Sequence, residues 1–78
     1  MQSKLYDIRK QKKLTQQEVA NFLKISRVSY GSKERDDSPF NIDEMFELSG
    51  WFGLPVSDIF SPRGNQNGYK ETDRKLVS

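Results

Sequence analysis

The sequence predicts an all-α fold, a compact bundle of about five short helices. Three observations predict it. Start signals stand at Thr15, Ser26 and Asn41, apolar residues follow each at helical spacing, and Gly-, Pro- or Asp-containing breaks separate them.

The first helix is expected over about Lys4 to Lys12, with Leu5 and Ile8 on one face and Tyr6 and Arg9 flanking it. Thr15 to Glu18 then reads as a capping box, in which the Thr hydroxyl and the Glu carboxylate each satisfy a backbone N–H of the new helix. Leu14, just before the cap, is placed to staple onto Val19, and Ala20, Phe22 and Leu23 continue the apolar pattern. Ser26 is the next N-cap, with Ile25 before it as the anchor of the turn. The helix after it covers about Arg27 to Glu34 and is made of weak formers, Val28, Ser29, Tyr30 and Gly31 among them. Glycine alone costs about 1 kcal/mol there relative to alanine. Such a helix is held by its neighbours, and its exposed residues point to a role beyond folding.

Arg35 to Phe40 reads as a loop, since Asp36, Asp37, Ser38 and Pro39 all favour turns. Asn41 caps a fourth helix, whose Ile42, Met45, Phe46, Leu48 and Phe52 trace a broad apolar stripe. Asp43 and Glu44 complement the dipole in its first turn. Gly53 ends it, Leu54-Pro55 breaks the chain, and Val56 to Phe60 forms a short fifth helix. The domain is therefore expected over residues 1–60. Residues 61–78, polar and without a clear period, are expected to be a flexible tail in which Gly68-Tyr69-Lys70 alone suggests a fragment of strand.

Composition narrows the function. The 78 residues contain no Cys and no His, which removes disulfides, thiolate metal sites and the commonest zinc ligand and general base. No Gly-rich phosphate loop and no carboxylate pair in an apolar pocket is visible, so neither enzyme, cofactor nor metal is expected. No apolar run approaches the roughly 18 residues of a membrane span, and a cytoplasmic setting is expected. The net charge of +2 conceals a segregation. Residues 1–35 carry nine basic and three acidic side chains, residues 36–60 six acidic and no basic ones, and residues 61–78 four basic and two acidic. Such a distribution favours an oriented approach to a polyanion.

The informative pair is the two capped helices around Ile25. A turn of a few residues between Leu23 and Ser26 marks a helix-turn-helix, leaving the second helix free to enter a groove. Val19, Leu23, Ile25 and Tyr30 form the local core, and Ala20 allows the two backbones to approach. With these segments the chain resembles the lambda-repressor-like helix-turn-helix family of phage repressors, Cro proteins and XRE-type regulators. The residues that carry it are Ile8-Arg9, Thr15-Gln16, Val19-Ala20, Ile25-Ser26, Tyr30 and Glu34-Arg35. Asn41-Ile42, Met45, Leu48, Phe52-Gly53-Leu54 and Asp58-Ile59-Phe60 complete the match, which spans roughly Leu5 to Phe60.

The resemblance implies a sequence-specific DNA-binding transcriptional regulator of phage or bacterial repressor type, acting as a homodimer. Arg27, Val28 and Ser32 would meet base edges, Arg27 by a bidentate pair with guanine and Val28 on a thymine methyl. Gln16, Ser29, Arg9 and Lys13 would contact phosphate, Gln16 also bracing the third helix. Gly31 is expected to face outward and reduce bulk near the DNA. Glu34 is expected to pair with Arg9 or Arg35. Trp51 and Phe60 suggest an apolar patch for dimerisation.

Three positions depart from the family's pattern. Lys24 stands where glycine is usual and must turn left-handed. Lys33 replaces an apolar core residue, so either its stem snorkels or the third helix packs loosely. Asp36-Asp37 would repel phosphate unless they point away or pair with Arg35. The alternative is a protein-binding module on the same fold, a repressor modulator or antitoxin-like protein using the acidic surface of residues 36–60.

Overall fold

The computed structural model describes residues 1–62, and among these the fold is all-helical. The elements are α1 (Ser3–Gln11), α2 (Gln16–Leu23), α3 (Arg27–Glu34), α4 (Ile42–Phe52) and α5 (Val56–Ile59). No helix is long and apolar enough to cross a membrane among the described residues. The Gly68-Tyr69-Lys70 expectation, like most of the proposed tail, lies outside them.

The expected caps form. Thr15 Oγ1 accepts from the Glu18 amide at 3.1 Å, and Glu18 Oε1 accepts from the Thr15 amide at 2.8 Å. Asn41 and Glu44 make the same reciprocal pair at the start of α4, at 2.7 and 3.0 Å. Ser26 caps α3 through the Ser29 amide. Lys24 closes α2 in the left-handed conformation, φ 62°, and the Ile25 amide bonds back to the Ala20 carbonyl. This is the Schellman arrangement with lysine where glycine is the cheaper residue.

The core joins Leu5 of α1, Val19, Ala20 and Leu23 of α2, Tyr30 of α3, Leu48 and Phe52 of α4, Ile59 of α5, and Phe60. Phe40, expected in a loop, is also core, edge-on to both Tyr30 and Phe60. The loop carries it inward because Asp37 and Ser38 bond the Ser32 carbonyl and fold the segment back over α3.

Two apolar expectations are corrected. Ile42 and Phe46 are each 61 % exposed, so the α4 stripe is narrower than its sequence suggests. Glu44 takes the inward position instead, its carboxylate held by Lys33 Nζ at 2.7 Å to both oxygens. Lys33 therefore snorkels, its ammonium also lying over the Phe40 ring. Trp51 is exposed but stacks on Phe22 of α2, ring centroids 4.2 Å apart, while Phe60 is buried and takes no part in a surface patch. Ser61 also packs against the bundle. The buried Gln2 side chain accepts from the Ser61 amide and donates to its carbonyl, clasping the end of the bundle to α1.

Candidate nucleic-acid interface

The site is organised from inside by Glu34 at the end of α3. Its carboxylate accepts from Arg9 Nε at 2.8 Å, Arg9 Nη2 at 3.2 Å, Gln16 Nε2 at 3.0 Å and Tyr30 Oη at 2.7 Å. One buried side chain thus ties α1, α2 and α3 together. Burial on its own pushes the Glu34 carboxyl up. The hydrogen bonds from Arg9, Gln16 and Tyr30 outweigh it and hold the group below its ordinary value. The same bond to Glu34 raises Arg9 further, against burial. Burial first, then the bond to Glu34, drives the Tyr30 phenol far up. The cluster is charged and locked at neutral pH.

Arg9 is therefore reassigned. Arg9 is 7 % exposed, its guanidinium paired to Glu34 and donating to the Leu14 carbonyl at 2.9 Å. Three of its five N–H donors hold the bundle together, and the side chain also forms part of the lining of the concavity at the starts of α2 and α3. Gly31 is reassigned too. It is buried, and a Cβ there would lie 3.3 Å from an Arg35 guanidinium nitrogen and 3.6 Å from Gln16 Oε1. The missing side chain makes room for these two polar ones.

The outer surface of this region is the candidate interface. Arg27, Val28 and Ser29 are exposed on α3, Val28 at 69 %. Ser32 is half-buried, its hydroxyl 3.1 Å from that of Ser38. Between the end of α1 and the starts of α2 and α3 lies an open concavity of about 550 Å³. It is lined by Lys10, Lys13, Thr15, Gln16, Gln17 and Arg27, with Arg9 behind. Two helix N-termini and three exposed cations converge there, an arrangement suited to an anion such as phosphate. Lys13 and Gln16 fall together in this concavity, while Ser29 is not part of its lining.

Arg35 is the residue that sequence reasoning missed. It follows Val28 by seven positions, so it shares the outward line of α3 with Val28 and Ser32. Its guanidinium pairs with Asp37 at 3.1 Å, both side chains well exposed. Asp36 turns to the other side and meets Gln2 Nε2 at 2.9 Å and the Met1 amine at 3.2 Å. The carboxylates that threatened to repel phosphate are thus each engaged with a positive or hydrogen-donating partner.

The sequence model of a helix-turn-helix family, HTH_3, matches residues 5–59. No curated protein and no solved structure matches the chain.

Proposed function

The chain belongs to the XRE/lambda-repressor-like helix-turn-helix family, and from that premise we propose that it is a sequence-specific transcriptional regulator that sets α3 into the major groove. The observation that carries this reading is the polar and basic surface around the start of α3. Exposed Arg27, Val28 and Ser29 stand beside a concavity that gathers Lys10, Lys13 and two helix N-termini. Arg27 and Val28, with Ser32, read base edges. Gln16, Ser29 and Lys13 contact phosphate, joined by Arg35. Gln16 is supported in that role by its bond to Glu34, which fixes its side chain at the seam of α2 and α3.

A single α3 reaches only a few base pairs, which supports a homodimer on a two-fold operator with half-sites about 34 Å apart. Repressor action of phage or bacterial type, in the cytoplasm, is part of the same proposal. Selection of binding sites from a random duplex pool tests the proposal. The wild type should enrich a two-fold symmetric site, and Arg27→Ala should lose discrimination at one base pair per half-site, costing about 1–3 kcal/mol. A pool that stays unenriched, or an Arg27→Ala preference identical to wild type, would contradict it.

A further inference from the structure

We infer that the outer face of α4 is a docking strip for a basic amphipathic helix of a partner protein, independently of any DNA binding. Ile42, Phe46 and Gly50 succeed one another at four-residue spacing on the side of α4 away from buried Leu48 and Phe52. Ile42 and Phe46 are the two most exposed large apolar side chains after Val28. From Ile42 to Gly50 the strip spans about two turns, roughly 12 Å, which is the length read by a helix laid on a groove or ridge through anchors one turn apart. Gly50 completes the strip. A Cβ there would meet nothing within 4 Å, so nothing in the described chain requires glycine at this helical position. The residue costs about 1 kcal/mol of helix propensity relative to alanine. It leaves bare backbone on the surface, the shape that lets a second helix approach closely.

Charge decides which helix. Asp43 and Glu47 are exposed and form an acidic edge along the strip, while residues 36–60 contain no Lys or Arg. A second copy packed antiparallel on the strip about a two-fold axis would set the Asp43 and Glu47 edge against its own counterpart, an opposition that costs free energy. A helix with an apolar face bordered by Lys or Arg instead meets the strip with matching sign, its long stems covering Phe46 while its charges reach the carboxylates.

A titration followed by amide chemical shifts tests the assignment with two synthetic helical peptides, one with Leu and Lys faces and one with Leu and Glu faces. The Leu/Lys peptide should bind saturably, with shifts centred on Ile42, Phe46 and Gly50. Both Phe46→Asp and Gly50→Leu, surface changes that leave the core intact, should weaken it at least tenfold. The Leu/Glu peptide should not bind. Shifts centred elsewhere, equal binding of both peptides, or no saturable binding by about 1 mM peptide would overturn the inference. A chain dimer that Phe46→Asp dissociates would also overturn it, by giving the strip to a second copy.

Discussion

Removing the Glu34 side chain, as in Glu34→Ala, should be among the most damaging single changes available to this domain. Four hydrogen bonds from three residues end on its carboxylate, at 2.7–3.2 Å, and Glu34 itself is 2 % exposed. The substitution leaves the Arg9 guanidinium buried without its counter-charge and the Tyr30 hydroxyl without an acceptor. Breaking a buried pair from one side costs about 3–5 kcal/mol, a large share of the 5–15 kcal/mol typical of a folded domain. For a chain of this length that is a fall in Tm of roughly 15–30 °C. Urea and thermal unfolding followed by circular dichroism at pH 7 measure it. The cause is checked by Arg9→Met combined with Glu34→Leu, which removes both charges and should recover at least half of the loss. A cost below about 1 kcal/mol for Glu34→Ala, or no recovery in the double variant, would refute the role assigned to the cluster.

Acid should act through the same carboxylate. Glu34 is held below its ordinary value of 4.5, so its contribution is fully present above that pH. The contribution is lost as pH falls through the lower folded value. Tm measured from about pH 5 down to about pH 3 should fall more steeply for wild type than for Glu34→Gln, and parallel curves would contradict the assignment. Asp37→Asn should free Arg35 for phosphate and tighten duplex binding about two- to fivefold, the range of an exposed ion pair. Unchanged affinity in a fluorescence anisotropy titration would mean that Arg35 does not face the backbone.

The features legible in the sequence were those set by neighbours along the chain. Thr15, Ser26 and Asn41 cap their helices because the hydroxyl or amide reaches an amide three residues on, and that reach is visible as spacing. Lys24 was legible as a left-handed residue through the family resemblance, glycine being usual at that position. The rest depended on partners distant in sequence. Arg9 was expected at phosphate from the family resemblance and also as one of two partners for Glu34; the pairing forms, and what the sequence did not show is that it buries both side chains. Phe40 followed four turn-forming residues, and its inward course is set by bonds to Ser32. On α4, Ile42 and Phe46 carry the same hydrophobic signal as Leu48, but Lys33 draws Glu44 into the inward position and leaves them outside. Arg35 was visible by its seven-residue offset from Val28, a signal masked by the acidic residues beside it.

The most direct test of the proposed DNA-binding role is the salt dependence of duplex binding by the full chain. Lys10, Lys13 and Arg35 offer about three phosphate contacts per subunit, which gives a slope of log affinity against log salt near −2.7. Affinity for a random-sequence duplex should therefore fall roughly 40-fold per subunit between about 50 and about 200 mM salt. No binding at the lower salt, or binding indifferent to salt, would contradict the assignment of this surface to DNA.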